Sequence, residues 1–205
     1  MTILPVYLYP HPVLRQEAAR IESIDEAVKT LANDMIKTMD HIGYAVGLAA
    51  PQVGHSVQLT VLDMDVIARY AEVPHRITGK LVLINPEIIS RSESSAPHDG
   101  EGCLSIPLLY STVKRPRSLC VRYLDLEGQT QELEFDGYHA FALDHEIDHL
   151  KGILFTDHLS SLKRNMLLSK YRNLKKTFAR TLTYKHVDET DTVFEGHVHD
   201  ENCRH

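Results

Sequence analysis

The sequence lacks the features that mark membrane, secreted and repetitive proteins. No apolar run in its 205 residues approaches the length of about 18 that a membrane-spanning helix requires. Residues 1–10 have neither the charged start of a secretory signal nor the arginine and serine richness of a transit peptide. Internal repeats and low-complexity segments are absent as well. These absences predict a globular protein of the cytoplasm with no membrane partner.

Cysteine is scarce, and basic residues do not dominate. Cys103, Cys120 and Cys203 are scattered and odd in number, which disfavours a disulfide framework and favours a reducing compartment. The balance of 22 basic against 28 acidic residues gives a formal charge of −6 and argues against a dominant nucleic-acid role, DNA included. The length suits one domain with a sizeable core, here predicted as residues 1–180, followed by a polar and disordered tail, 181–205.

Apolar spacing predicts one early helix and several strands. Ser23 to Glu26 has the spacing of a capping box, and the apolar residues that follow predict a helix from Asp25 to His41, closed by Gly43. Residues 65–80 are predicted to be helical or irregular, and a polar loop is predicted through Gly100. The predicted strands are 46–49, 57–64, 81–90 (interrupted at Asn85-Pro86), 112–124 and 130–135, the last two joined as a hairpin at Glu127-Gly128.

Two helices are predicted near the end of the chain. The first begins near Gly137 and ends near Gly152, where glycine suits a C-cap. The second runs from about Ser160 to Arg180 with an apolar stripe. From Lys163 to Val187 there is no acidic residue, so this helix is strongly basic. A basic face would suit a phosphate surface such as ribosomal RNA, and a solvated helix face explains it equally well.

The helix beginning at Gly137 carries a metal-binding spacing. His145 and His149 are four residues apart, slightly more than one helical turn, so both imidazoles can reach one cation. Glu146 lies about 100° round the helix from His145 and can reach a water on that cation without binding it. A solvated helix with scattered histidines is the alternative, since the chain has 13 histidines.

Two histidines leave a catalytic metal site incomplete, because such sites usually have three protein ligands. The upstream candidates for the third ligand are His98, Cys103, His139 and Asp144. Cys103 follows a glycine and precedes Ser-Ile-Pro, a context that bends the backbone and presents the thiol. A lone cysteine is also often a small buried hydrophobe.

Three stretches in order decide between these readings: Gly47-Leu48-Ala49-Ala50-Pro51-Gln52, Glu101-Gly102-Cys103-Leu104-Ser105 and His145-Glu146-Ile147-Asp148-His149. Together they resemble the signature motifs of peptide deformylases, and the likeness extends over residues 5–175. The resemblance implies that Cys103, His145 and His149 bind the metal and that Glu146 is the general acid/base. It also implies that Gln52 and the Leu104 amide hold the oxyanion.

The resemblance further implies a substrate and a metal. The substrate is the N-formyl-methionyl end of a nascent peptide, attacked at its formyl carbon by a metal-bound water, with formate released. Fe(II) is the expected physiological metal, while Zn(II), Ni(II) and Co(II) also suit these ligands. Gly47 would leave room for hydrogen and not carbon on the acyl group. The methionine pocket is expected at Val46, Tyr138, Phe141 and Ala142, for which plain core packing is the alternative.

Two carboxylates are expected to support the metal-bound histidines, and two positions differ from the family pattern. Glu101 and Asp148 are the expected carboxylate partners of the metal-bound histidines, although Asp148 suits an exposed position as well. The family usually has glycine where Ala45 stands and glutamine where Asp144 stands. The added carboxylate of Asp144 is adjacent to His145 and could tune the metal.

The sequence predicts an α+β fold in which antiparallel strands pack around a central metal-binding helix, with a C-terminal basic helix. Two other functions remain open at this point. A zinc metallopeptidase would use the same helix and recruit Asp157 or His158 downstream as its third ligand. A non-catalytic ribosome-associated protein would use the basic helix, 163–180, and would need none of Cys103, Glu146 and Gln52.

Overall fold

The structure, a computed structural model, describes residues 2–71, 76–181, 187–188 and 191–194. Antiparallel strands, five of them consecutive over residues 80–136, pack with helices, so the predicted α+β class is confirmed. The helices are α1 (Glu26–Ile42), α2 (Met64–Ile67), α3 (Gly137–Leu150) and α4 (Ser161–Thr181). The strands are β1 (Val6–Tyr7), β2 (Gly47–Ala49), β3 (Leu59–Asp63), β4 (Lys80–Arg91), β5 (Ser95–Cys103), β6 (Ile106–Pro116), β7 (Ser118–Leu124), β8 (Thr130–Asp136), β9 (Val187–Asp188) and β10 (Asp191–Phe194).

The main sheet has the antiparallel order β2-β3-β4-β7-β8 and separates two apolar layers. Alternate side chains of a strand point to opposite faces, so Val82 and Ile84 pack with α1 while Leu83 packs with α3. β5 and β6 form a separate antiparallel pair, and α3 contacts strands of both sheets. The predicted central position of this helix is therefore confirmed.

The first helix illustrates how local sequence sets an element boundary. The Asp25 carboxylate accepts hydrogen bonds from the amides of Ala27 and Val28, which satisfies two donors of the first turn. Gly43 ends the helix in the left-handed conformation at φ 79°. The predicted bounds are correct within a residue, but the N-cap is Asp25 and not Ser23.

Three strand predictions differ from the structure. Asn85-Pro86 do not interrupt β4, because a bulge absorbs them and Asn85 adopts φ 50°. The predicted polar loop through Gly100 is β5, which pairs with β6. The predicted strand 112–124 is two strands, β6 and β7, divided at Arg117.

The helix α3, which carries the histidine motif, is buried on nearly every side. Its residues from His139 to Leu150 are buried except Phe141, which is half-buried. It ends beside Gly152, which has φ 69° and packs so closely on the backbone of Arg15 that a Cβ would lie 2.7 Å from that carbonyl carbon. The Arg15 side chain bonds to Gly152 O and to Asp157. The chain before α1 thus fixes the far end of α3.

The end of the described chain bears on the predicted tail. α4 extends to Thr181, one residue beyond the predicted domain boundary, and β9 and β10 lie within 181–205. β10 pairs with β1, so these six residues differ from the expected irregular structure, while the division of the chain at 180 remains a prediction. None of the described helices is long and apolar enough to cross a membrane.

Candidate metal centre

Three metal-ligating side chains converge between α3 and the end of β5. Cys103, His145 and His149 each place one donor atom within 4.8 Å of the other two. Cys103 Sγ lies 3.2 Å from His149 Nε2. The helix brings the two histidines together because they are one turn apart, and the rings are 4.9 Å apart at their centroids.

Cys103 reaches this position because β5 ends there in a tight turn. Cys103 pairs with Ile106 across the hairpin, which leaves Leu104 and Ser105 as the turn residues. The Tyr9 amide donates a hydrogen bond to Ser105 O at 2.9 Å and anchors the turn from the opposite side. The thiol is therefore presented by a fixed turn, as the sequence context predicts.

The electrostatics of the cluster favour the ligand form of the thiol. Burial alone would raise the pKa of Cys103, but the neighbouring His149 and His145 imidazoles outweigh it and lower the pKa to about 5. Thiolate is the form that binds a metal ion. Cys103 is thus ready to act as an anionic ligand at neutral pH.

His145 has its orientation set by Glu101. Its Nδ1 lies 2.7 Å from Glu101 Oε1, and because a carboxylate only accepts, Nδ1 carries the proton and donates. Nε2 is then the ring nitrogen that could bind a metal ion, on the side of Cys103. The expected pairing of Glu101 with a histidine of the motif is confirmed, while the binding of a metal by that histidine remains a prediction.

Asp148, the other expected partner, has a different role. It is buried, accepts a hydrogen bond from Arg115 at 2.5 Å, and lies 2.7 Å from His158 Nε2. His149 Nδ1 is buried without a hydrogen-bond partner among the described residues. Asp148 therefore supports the helix through Arg115 and not through an imidazole ligand.

Glu146 is buried beside the cluster and keeps one oxygen unpaired. Burial raises its pKa to about 7, despite the opposing effect of the two histidines. Its Oε2 has no hydrogen-bond partner within the described chain. A Cβ on Gly47 would lie 2.7 Å from Glu146 Cδ, so glycine on β2 makes the space that this side chain occupies.

Gln52 is held against the cysteine by the strand that precedes it. The Ala49 amide donates to Gln52 Oε1 at 2.8 Å, which turns Nε2 toward Cys103 Sγ at 3.5 Å and Ser105 Oγ at 3.3 Å. The residue is 2% exposed. Its amide donor and the turn containing Leu104 thus flank the same cysteine.

A buried arginine that sequence reasoning missed lies behind the histidines. Arg115 on β6 is fully buried and donates to Glu101 at 2.6 and 3.1 Å, to Asp144 at 2.9 Å and to Asp148 at 2.5 Å. Arg91 also donates to Asp144, at 2.8 Å. Burial lowers the pKa of Arg115, but its carboxylate partners outweigh it and raise the pKa above its usual value, so the charge persists. A signal existed in the alternation of β6, where Val113 and Arg115 share the inward face.

Three of the expected pocket residues lie in the first half of α3, and the fourth, Val46, directly precedes β2. Val46 and Tyr138 pack on the same apolar core, and Ala142 belongs to it. Tyr138 and Phe141 each have ring centroids 5.1 Å from that of His98. Val46, Tyr138 and Phe141 are partly accessible and Ala142 is buried, and their use as a methionine pocket remains a prediction.

The other candidate ligands lie outside the cluster. His98 packs on the two aromatic rings, and Asp144 binds arginines. Asp157 pairs with Arg15, and His158 with Asp148. His139 is buried on α3 and is not part of the metal-ligating cluster found among the described residues. A third ligand downstream of the helix, as in the metallopeptidase alternative, is therefore not favoured.

The donor set fits a divalent ion. A thiolate and two neutral imidazoles are soft and borderline ligands suited to Zn(II), Fe(II), Co(II) or Ni(II), and Glu146, between the two histidines in sequence, keeps a buried oxygen without a hydrogen-bond partner in the described chain. Three such donors from a helix and a strand turn would leave a coordination position open for water, as catalytic sites require. The fold and site define a metal-dependent hydrolase.

Comparison with known proteins assigns the family. The polypeptide deformylase profile matches residues 3–165. A peptide deformylase of Mesorhizobium japonicum is 43% identical over 86% of this chain and 95% of its own, and one of Agrobacterium fabrum is 45% identical over 83% and 95%. A crystal structure of a peptide deformylase from Legionella pneumophila superposes with a TM-score of 0.75 at 39% identity, covering 87% of this chain and 99% of that one. The chain belongs to the peptide deformylase family, metal-dependent hydrolases that remove the N-formyl group from nascent peptides.

Proposed function

We propose that Cys103 Sγ, His145 Nε2 and His149 Nε2 hold the metal ion and that this ion is Fe(II) in the cell. The observation that carries the ligand assignment is the convergence of the three donor atoms within 4.8 Å. The choice of Fe(II) is supported by family membership alone, since these ligands also accept Zn(II), Ni(II) and Co(II). Bound there, the ion would lower the pKa of a water and polarise the formyl oxygen.

Glu146 moves the proton in this proposal. With a pKa of about 7, its carboxylate is poised both to accept and to return a proton near neutral pH. Glu146 Oε2 takes a proton from the attacking water as the water oxygen bonds to the formyl carbon. The same Glu146 oxygen then delivers the proton to the amide nitrogen as the C–N bond breaks. Formate and a free amino terminus are the products.

Gln52 and Leu104 stabilise the negative charge that develops on the formyl oxygen. Gln52 Nε2 is directed at the cluster by the Ala49 amide, so its donor is oriented before substrate binds. The Leu104 N–H belongs to the turn next to Cys103. Removing one such donor typically costs about 10²–10³ in rate.

Apolar residues would bind the substrate side chain, and Gly47 would limit the size of the acyl group. Val46, Tyr138, Phe141 and Ala142 form the methionine pocket, which is supported by the partly accessible apolar surface of the first three. Gly47 limits the acyl group to formyl indirectly. Because it has no side chain, Glu146 can approach β2, and the Glu146 side chain then narrows the space for the acyl group beside that strand.

Formate release from a short N-formyl-methionyl peptide tests the proposal. Protein loaded anaerobically with Fe(II) should turn over the formyl peptide and leave its acetyl analogue intact. Glu146→Gln keeps the shape but cannot accept the proton, so its rate should collapse while its metal content is retained. A Glu132→Gln variant, altered on the exposed strand β8, is the matched control. No formate from fully metal-loaded protein would contradict the proposal.

We further propose that the basic helix 163–180 docks on the ribosome in the cytoplasm. Lys163, Lys170 and Arg172 are exposed on α4, which supports a phosphate-binding face. Lys175 is half-buried and lies 3.5 Å from Tyr9 O, so it is a poorer choice for testing this role. Charge reversal at Lys163 and Lys170 should abolish salt-sensitive co-sedimentation with ribosomes and leave peptide turnover intact. Unchanged co-sedimentation would remove α4 from the interface.

A further inference from the structure

A buried carboxylate next to a metal ligand is bound by two arginines from different strands. Asp144 is 5% exposed and precedes His145 on α3. Its Oδ2 accepts from Arg115 Nη1 at 2.9 Å, and its Oδ1 accepts from Arg91 Nη2 at 2.8 Å. Arg115 is fully buried, whereas the side chain of Arg91 is 45% exposed at the end of β4.

We infer that Arg91 and Asp144 form a positioning pair that holds His145 in its metal-binding orientation. The connection is continuous: Arg91 binds Asp144, Asp144 binds Arg115, Arg115 binds Glu101, and Glu101 accepts from His145 Nδ1. The inference rests on the proposed ligand set. It extends the site to a partly exposed residue of the main sheet, outside the three sequence motifs.

The charges explain why Arg91 is needed. Without it, the single guanidinium of Arg115 would face the three buried carboxylates of Glu101, Asp144 and Asp148. An unpaired carboxylate at 144 would then compete with Glu101 for Arg115, because leaving a buried charge uncompensated is costly. Glu101 would lose part of its anchor, and the His145 ring would lose its fixed orientation. With asparagine at position 144, this competition would disappear.

A positioning role of Arg91 and simple electrostatics predict opposite changes in metal affinity when Arg91 is removed. If only Coulomb forces mattered, removing the positive charge of Arg91 would remove a repulsion and tighten the binding of a cation. Solvent at the exposed guanidinium weakens that effect. Loss of orientation should weaken binding instead, since partners that orient metal-bound histidines typically account for about 10–100-fold in metal affinity. The direction of the change therefore distinguishes the two causes.

The experiment measures Zn(II) affinity of metal-stripped, reduced full-length protein against a chromophoric chelator, together with the absorption spectrum of the Co(II)-loaded form. Arg91→Ala should weaken Zn(II) binding about tenfold, the lower end of that range because it acts through two intermediaries. It should also shift the Co(II) bands, which a purely structural role would leave in place. Arg91→Lys should restore most of the affinity.

Combined variants and a matched control complete the test. Arg91→Ala with Asp144→Asn should bind Zn(II) nearly as tightly as the wild type, because the unpaired charge is gone. Arg122→Ala breaks an arginine pair of similar exposure on β7 and should change nothing at the metal. Arg91→Gln carries the same prediction should the alanine variant unfold.

Two results would overturn the inference: Zn(II) binding by Arg91→Ala or Arg91→Gln as tight as in the wild type or tighter, or a double variant as weak as the single one. Failure of the ligand set would look different, because His145→Ala would then bind metal as well as the wild type does. That outcome would remove both the proposed function and the inference, whereas a metal-free His145→Ala with an unaffected Arg91→Ala would remove the inference alone.

Discussion

Two arginine–carboxylate pairs of nearly equal length lie in opposite environments. Arg115 and Glu101 are 2.6 Å apart with side chains 0% and 3% exposed, while Arg122 and Glu132 are 2.7 Å apart with side chains 47% and 51% exposed. Solvent screens the second pair and can hydrate either partner alone. The first pair has no such substitute, so breaking it leaves a charge in a dry environment. Burial, and not distance, decides what each pair contributes.

A third site, in which one lysine bridges two carboxylates, is intermediate in exposure. Lys80 bridges Asp63 at 2.5 Å and Asp40 at 2.8 Å, and the three side chains are 22%, 9% and 58% exposed. It joins the start of β4 to α1 and β3. If burial sets the contribution, the three sites should rank in order of exposure when each is broken.

The largest effect is expected from Arg115→Met. Three buried carboxylates would lose their shared guanidinium, which should lower the free energy of unfolding by about 3–5 kcal/mol. Urea unfolding of metal-free protein measures this without a contribution from the ion. Arg117→Met, two residues along and exposed, is the matched control. Equal losses in the two variants would contradict the assigned importance of burial.

Glu101→Gln should act chiefly at the metal. The amide keeps the shape of the side chain but loses the charge that binds Arg115 and accepts from His145 Nδ1. We expect metal affinity to fall by about 10–100-fold, measured by chelator competition. The same change at the exposed Glu132 should leave metal affinity unaltered. Unaltered affinity in Glu101→Gln would mean that the His145 tautomer is set by another contact.

Lys80→Met should cost about 1 kcal/mol, since Lys80 is only partly buried and one of its two partners, Asp40, is exposed. Burial lowers the pKa of Lys80, but Asp40 and Asp63 outweigh it and raise the pKa above 10.5. A raised pKa means that the contribution is complete below the unfolded value and disappears as pH rises through the folded one. The difference in unfolding free energy between wild type and variant should therefore be constant from neutral pH to about 10 and shrink above 10.5. A difference that persists at high pH would assign it to packing of the lysine stem.

The smallest effect is expected from Arg122→Ala. Exposed pairs contribute about 0.5 kcal/mol or less, and salt reduces even that. Unfolding by urea at low and at high ionic strength measures the effect, with Glu132→Ala expected to give a similar value. A loss approaching that of Arg115→Met would break the comparison.

The sequence predicts elements whose signals are local. Asp25 and Gly43 bound α1, and the glycines at 137 and 152 bound the motif helix, because caps act within one turn. β5 escaped prediction since Pro97 and Gly100 normally interrupt strands, and only its pairing with β6 stabilises it. A short stretch of sequence does not show with which other strand it will pair.

The residues of the candidate site likewise fall into those that local motifs predict and those that only the fold brings together. Motif spacing predicts the approach of His145 and His149, and the ordered motifs predict that Cys103 joins them. Arg115 and Arg91 belong to no motif, and their shared partner Asp144 lies 29 and 53 residues away from them in sequence. An inward arginine on an alternating strand is a recognisable signal for buried carboxylates. Which carboxylates it meets depends on the fold.

The contact between Gly47 and Glu146 has a consequence for how freely this sequence can vary. In a saturation library scored by turnover, position 47 should tolerate no other amino acid, although glycine contributes no reactive group. Even alanine would place a Cβ 2.7 Å from Glu146 Cγ and Cδ and displace the proton carrier. Selection would therefore mark this position as strongly as a catalytic one. A map of mutational tolerance would here record the volume occupied by a neighbour.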